Sequence, residues 1–302
     1  MTLPTPHGDK LGALLRNEKL PTGDRRRIEK AAKRYRTWVA SLARIPAGND
    51  GLGEALRLLN EYRLFLDLDV VFDSQDDFLY RQKGQLKLDN TVIEEFLPHL
   101  VSRSFPEIST GFSVGPHSCF AAVYFTSTIR TATGSPGTQS RTKDQDFTIS
   151  KRLYLRASFH PDHAEGVDQL EANLGYLCAE CKTNLDKTMF QEACATAHDV
   201  KTAVPGAKYL LLCEWLDMTP ISTAGTDVDE VLILRKAKRL GSQVRSAFAT
   251  REGRASRRED YAKYLTDHPF APGVFERFLL HVSALLEDRD PDEGDVLGRG
   301  YF

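Results

Sequence analysis

The run Lys208–Leu216 (KYLLLCEWL) constrains the fold of this chain more than any other segment. Its apolar residues are continuous and do not alternate, so a strand built from them must be covered on both faces. Two-sided cover requires helices above and below a sheet, which predicts an α/β architecture. The preceding segment agrees. Leu185, Met189, Ala193, Ala197 and Val200 recur at helical spacing, Asn184 or Asp186 can cap the start, and Pro205-Gly206 ends the helix.

Further elements follow from the same periodicities. Phe120–Thr126 (FAAVYFT) and Phe147–Leu155 (FTISKRLYL) read as paired strands, Val231–Leu234 as a short strand, and 275–286 as a closing helix. Gly166–Lys182 (GVDQLEANLGYLCAECK) reads as a hairpin turning at Asn173-Leu174-Gly175. Between the first two strands, Thr131–Asp146 is composed of turn formers and charges, and is expected to be a long mobile loop. Upstream, amphipathic patterns predict helices over 23–45, 51–66 and 90–101. The expectation is a mainly helical region, 1–105, available for DNA or subunit contact, followed by an α/β domain, 106–302. The latter has a mixed central β-sheet flanked by helices.

Composition narrows the class. With 41% hydrophobic and 27% charged residues the chain is expected to be globular, and no apolar run reaches the roughly 18 residues that span a bilayer. The opening MTLPTPHGDK lacks the apolar core of a signal peptide, so a cytoplasmic protein without membrane association is expected. Cys119, Cys178, Cys181, Cys194 and Cys213 then read as reduced thiols. Net charge is −2, yet positive residues gather at Arg25–Arg36 and Arg235–Arg258, a distribution that suits a basic groove better than a uniformly basic surface.

The chemistry-bearing residues lie on the expected hairpin. Glu180 and Lys182 are two apart, so on a strand they project side by side. A turn centred on Leu174 sets Asp168 across from Glu180, with β-carbons about 5 Å apart. Two carboxylates and an ammonium in one place suit phosphodiester hydrolysis: hard cations such as magnesium take carboxylate oxygens, and a lysine offsets phosphorane charge or positions the attacking water. Asp168 and Glu180 are therefore the expected magnesium ligands, with the Cys181 carbonyl as a further one, and Lys182 the group that assists water.

With its helix and apolar strand, this segment has the strand–strand–helix–strand order of the PD-(D/E)xK nuclease core. The segments DFTISKRLYLRA (Asp146–Ala157) and AECKTNLDKTMFQEA (Ala179–Ala193) resemble the BbvCI-like type II restriction endonucleases. The resemblance spans the central third of the chain. It implies a magnesium-dependent enzyme that cuts double-stranded DNA at a short, nearly palindromic site, working as two different subunits that each cleave one strand. Glu180 and Lys182 match the family's catalytic strand. Asp168 follows Gly166-Val167 where the family motif has proline. Asp162, which does follow a proline, is the reserve, since the hairpin register places it beyond the strand.

Other features carry lesser expectations. Cys178 and Cys181 form a C-x-x-C, but on a strand they point to opposite faces and cannot share a metal. DNA contact is expected from Arg141 and Lys143 in the long loop and from Arg235, Lys236, Lys238, Arg239 and Arg245. Gln191 and Glu192 are placed to support the metal site. The competing functional classes are a repair or recombination nuclease on the same core, indifferent to sequence, and a DNA-binding protein that does not cut. For the nuclease, a homodimer is the alternative to two different subunits.

Overall fold

The structure, a computed structural model, describes residues 3–48, 51–132, 134–287 and 293–300. Helices α1 (Pro6–Arg16), α2 (Thr22–Leu42), α3 (Leu52–Phe65), α4 (Phe78–Leu86), α5 (Asn90–Ser104) and the short α6 (Ile108–Gly111) precede the sheet. A π-helical segment, Leu66–Phe72, continues α3. Then come β1 (Ser113–Phe125), β2 (Thr138–Ala157), β3 (Asp168–Leu185), α7 (Lys187–Ala203), β4 (Lys208–Leu216) and β5 (Glu230–Lys238). The remainder is helical: α8 (Ser242–Ala247), α9 (Arg251–Ser256), α10 (Arg258–Asp267), α11 (Pro272–Glu287) and α12 (Glu293–Arg299).

The strands form one mixed sheet in the order β1-β2-β3-β4-β5. The β1–β2 and β2–β3 pairings are antiparallel, and β3–β4 and β4–β5 are parallel. The parallel step from β3 to β4 crosses over through α7, whose start is capped by Asp186 accepting from the Met189 N–H at 2.9 Å. β4 is covered on both faces, as its composition demands. Tyr209, Leu211 and Cys213 pack with Cys178, Phe190 and Ala197 under α7. Leu210 and Leu212 pack on the other side with Leu177, Phe275 and side chains of the N-terminal helices, including Ile28, Leu59 and Phe96. The hydrophobic core therefore runs unbroken across residues 105 and 106, and the helical region is built onto one face of the sheet.

Two expectations are overturned. Gly166–Lys182 is not a hairpin: β3 continues through Asn173-Leu174-Gly175, paired with β2 from Ala157↔Asp168 to Phe147↔Ala179. The glycine serves close approach instead of a turn, because a β-carbon at position 175 would lie 2.5 Å from Cys178 Sγ and 2.9 Å from Cys119 Sγ. The long polar connection is also shorter than expected, since β2 already begins at Thr138; Thr133 within it lies outside the described residues.

β2 is strongly bent. Its first residue, Thr138, donates its N–H to Asp168 Oδ2 at 2.7 Å, although Asp168 is paired with Ala157 at the strand's other end. Cys119 of β1 meanwhile meets Asn173 of β3. The β1–β2 and β2–β3 ribbons thus fold back side by side as two arms. Register shifts mark the bend: Gly115 and His117 face Thr148 and Gln145, while Ile149 and Ser150 face Leu177 and Gly175.

Candidate active site

Glu180 and Lys182 share the α7-side face of β3, as alternation requires. Lys182 Nζ lies 2.5 Å from Glu180 Oε1, and both side chains are about one-fifth exposed, open enough to meet a ligand. The hydroxyl of Tyr209, on β4, donates to Glu180 Oε2 at 3.3 Å. Burial works against the Lys182 ammonium. The hydrogen bond and charge of Glu180, aided by Asp146 and Glu192, nevertheless hold its pKa above the usual lysine range. Burial, reinforced by the Glu180 charge, drives the Tyr209 phenol far up, so it stays a donor.

The acid facing this pair is Asp146. The β2–β3 ladder ends at Phe147↔Ala179, and beyond it the strands part. Between Gln145 and Thr148 β2 spends three steps against two in β1, so one extra residue is accommodated around Asp146 and Phe147. Such a bulge re-aims a side chain. Asp146 Oδ2 accepts the backbone N–H of Cys181 at 2.9 Å, which fixes its carboxylate between the Glu180 and Lys182 positions. Burial raises the Asp146 pKa, the Cys181 N–H and the Lys87 charge oppose the rise, and the Glu180 carboxylate adds to it.

A third carboxylate approaches from α5. Glu94 and Glu95 sit among Val92, Ile93, Phe96 and Leu97, all buried. Glu95 is satisfied by the N–H groups of His7 and Gly8 and by the Tyr35 hydroxyl. Glu94 is not: its Oε1 is buried without a partner, and burial together with repulsion from Asp146 pushes its pKa up to about 7. The N-terminus of α5 is tied to the same strand, Thr183 donating to Asn90 Oδ1 at 2.6 Å.

Among the described residues no group of three or more His, Cys, Asp or Glu side chains is placed so that it could hold a metal ion. Magnesium does not need one. It is commonly held by one or two carboxylates, with waters and substrate phosphate completing the octahedron. The residues present are of the kind magnesium takes in that pattern: carboxylate oxygens on Asp146 and Glu180, with the Glu94 carboxylate adding negative charge that Asp146 feels.

The structure does not bring Asp168 to this place. It lies twelve residues before Glu180 on one strand, roughly 40 Å of extended chain at about 3.3 Å per residue, and its carboxylate holds the start of β2. That bond to the Thr138 N–H lowers the Asp168 pKa. Asp162 is equally remote, in the loop before β3, accepting from the Ala164 N–H at 3.0 Å. Cys178 and Cys181 do point to opposite faces, each into a different core cluster. Gln191 and Glu192 are exposed on α7, and Glu192 acts on Lys182 through its charge.

The expected DNA contacts divide. Arg235 is buried, its Nε 3.1 Å from Glu214 and its guanidinium over the Phe270 ring, so it is a core residue and not a surface contact. Lys236 and Lys238 are exposed at the end of β5. Arg239 pairs with Asp217 at 2.7 Å, and Arg245 Nε donates to the Leu240 carbonyl. Arg141 and Lys143 lie on β2, not in a loop, and both reach Asp199 of α7.

Comparison with known proteins accords with this geometry. No curated protein matches the sequence. The fold matches a solved structure described as the native BbvCI A2B2 tetramer at low resolution, with a TM-score of 0.55 and 19% identity over 87% of this chain and 97% of that one. No helix among the described residues is long and apolar enough to cross a membrane. The Bpu10I restriction endonuclease family matches residues 85–302, from the end of α4 through the whole sheet, so the resemblance carried by Asp146–Ala157 and Ala179–Ala193 is borne out. Residues 85–302 hold Glu94, Asp146, Glu180 and Lys182 together, and the chain belongs to the Bpu10I restriction endonuclease family.

Proposed function

We propose that this chain is a magnesium-dependent subunit of a type II restriction endonuclease with a PD-(D/E)xK centre, hydrolysing one strand of double-stranded DNA at a short specific site. The observation that carries the reading is the bond from the Cys181 N–H to Asp146, which joins Asp146, Glu180 and Lys182 into one cluster where β2 and β3 part. Asp146 takes the role that spacing alone gave to Asp168.

Asp146 and Glu180 would hold the metal, with the Cys181 carbonyl as a further oxygen, and Glu94 would add negative charge beside Asp146. Magnesium, when bound, supplies Lewis acidity toward the scissile phosphate and lowers the pKa of water. Lys182, kept charged by Glu180, orients the attacking water and offsets charge developing on the phosphorane. Tyr209 fixes the Glu180 carboxylate through its second oxygen. Lys236 and Lys238, exposed at the end of β5, would meet phosphates, and Arg239, Arg245, Arg141 and Lys143 would exchange an internal partner for one.

One such centre addresses one strand, whereas a duplex presents two of opposite polarity, so concerted cutting needs a second subunit. The family resemblance favours a different one, and the solved relative is an A2B2 assembly. The test is plasmid DNA with and without magnesium, using the chain alone and with its homologous partner subunit. Magnesium-dependent double-strand cutting by the mixture is expected, and a Glu180→Ala version of this chain should convert it to nicking of one defined strand. Clean double-strand cutting by that mixture would overturn the assignment.

A further inference from the structure

Beyond the carboxyl ends of β3, β4 and β5 the fold leaves a partly open cavity of about 200 Å³. That end of parallel strands is where α/β sheets commonly take ligands. The cavity is bounded by Asn184 of β3 and Trp215 of β4, which are register partners, and by residues of the π-helical segment, α4, α8 and α10. Its walls are aromatic. Trp215 stacks with Tyr264 at a ring-centroid distance of 4.8 Å, and Phe72 with Tyr261 at 4.4 Å. Polar groups stand among the rings. The half-buried Asn184 amide has no hydrogen-bond partner among the described residues. Asp89 accepts the Asn90 N–H through Oδ1 at 3.0 Å, which leaves its other oxygen available. Arg239 and Arg245, both part-exposed, complete the lining.

This combination restricts the occupant. The space is smaller than the roughly 300–1,000 Å³ of pockets for drug-sized ligands, and suits a single flat ring system. A free anion is disfavoured, because Asp67 and Asp89 line the same space. A purely apolar ring would leave the Asn184 amide desolvated and unpaired. A nucleobase meets both demands. Its faces stack on aromatic side chains, and its edge carries donors and acceptors that an asparagine amide reads in pairs, while a carboxylate accepts an exocyclic amino group. The phosphates on either side of it suit the two arginines.

The position suits a base of the strand being cut. Asn184 shares a strand face with Lys182 two residues earlier, about 7 Å away along β3, or roughly two phosphate spacings of one DNA strand. Leu88 and Asp89 of the cavity lie in the α4–α5 connection, next to Lys87, whose charge acts on Asp146.

We propose that this cavity receives one base of the DNA target, turned out of the duplex within about two nucleotides of the scissile phosphate, with Asn184 and Asp89 reading its edge. The proposal rests on the nuclease reading. Stacking on the cavity walls offsets the cost of unpairing and unstacking the base.

The experiment uses the chain assembled with its partner subunit, in calcium, and measures Kd for duplexes that each carry one abasic residue opposite a base of the strand this chain cuts, spanning three nucleotides on either side of the cut. A base without its pairing partner is easier to extrude. At one position the abasic duplex should bind about tenfold more tightly than the intact one, whereas removal of other recognised bases should weaken binding. Gly84 lines the cavity, and a β-carbon there would meet nothing within 4 Å. Gly84→Trp should therefore abolish the tenfold gain with circular dichroism and Tm unchanged, and Asn184→Leu should remove most of it. No gain at any position, from an enzyme that binds the intact duplex and cuts it in magnesium, overturns the cavity proposal and leaves the nuclease reading standing. A gain that persists in both variants also overturns it. An enzyme that neither binds nor cuts the intact duplex overturns the nuclease reading and this proposal with it.

Discussion

Two clusters of charge are built into the same sheet, and they are satisfied to different degrees. Between β4, β5 and α3, Glu214 meets Arg63 Nη1 at 2.5 Å and Arg235 Nε at 3.1 Å, while Asp67 pairs with both arginines. Two cations balance two carboxylates and every carboxylate oxygen has a partner, although Arg63 Nε finds none. Between β2, β3 and α5, Lys182 pairs directly with Glu180, Asp146 and Glu94 have no ion pair of their own among the described residues, and a buried Glu94 oxygen is left without a partner. A closed cluster fixes packing. An anionic, incompletely paired one keeps capacity for a cation, and this difference, more than the presence of charge, separates a candidate site from a structural ion network.

Mutation should break the two clusters in opposite ways. Glu180→Ala and Lys182→Ala should each lower cleavage by about a thousandfold or more, while unfolding free energy changes by only about 1 kcal/mol because the pair is part-exposed. Plasmid cleavage and urea unfolding of the same preparations check both halves. Glu214→Ala should do the reverse. It leaves two buried arginines, Arg63 and Arg235, with Asp67 as their one paired carboxylate among the described residues and should cost about 3–5 kcal/mol of stability, read as a lowered urea midpoint.

Glu94 sharpens the comparison through pH. Its folded pKa, about 7, lies above the ordinary 4.5, so folding binds a proton between those values and the benefit is lost as pH rises through 7. Without divalent metal, Glu94→Gln should be more stable than the parent by about 3 kcal/mol at pH 8, with the difference vanishing near pH 4.5. Equal stabilities at pH 8 would show that the Glu94 carboxylate is not held out of water. The smallest effect is expected at the surface: Lys236→Ala and Lys238→Ala should weaken DNA binding modestly and each reduce the salt dependence by about one counterion, whereas Arg235→Ala should act on stability first.

Much of this was legible in the sequence where one periodicity holds without interruption. β4 announced its two-sided burial, α7 its length and cap, and Glu180 and Lys182 their common face, because each lies within an unbroken repeat. Asp168 was misplaced because Gly175 satisfies a turn and a close strand contact equally well, and only the sulfur atoms of Cys119 and Cys178 decide between them. Asp146 was hidden at the end of a polar stretch and at a bulge, where alternation fails, although it is the first residue of the segment that carries the family resemblance. Glu94 left one signal, an acid inside an otherwise apolar helix face, but the satisfied Glu95 beside it leaves the same signal. Arg235 looked like a DNA contact because its partners, Asp67 and Glu214, are distant in sequence or on another strand.

The central claim is that Asp146, and not Asp168, completes the centre with Glu180 and Lys182. The direct measurement compares Asp146→Asn and Asp168→Asn, each mixed with the partner subunit, for strand cleavage in magnesium and for DNA binding in calcium. Asp146→Asn is predicted to bind DNA and to lose cleavage of its strand by about a thousandfold, whereas Asp168→Asn should cut within about twofold of the parent, as expected for a surface group remote from the chemistry. Normal cutting by Asp146→Asn, or loss of cutting with retained folding and binding in Asp168→Asn, would contradict the account.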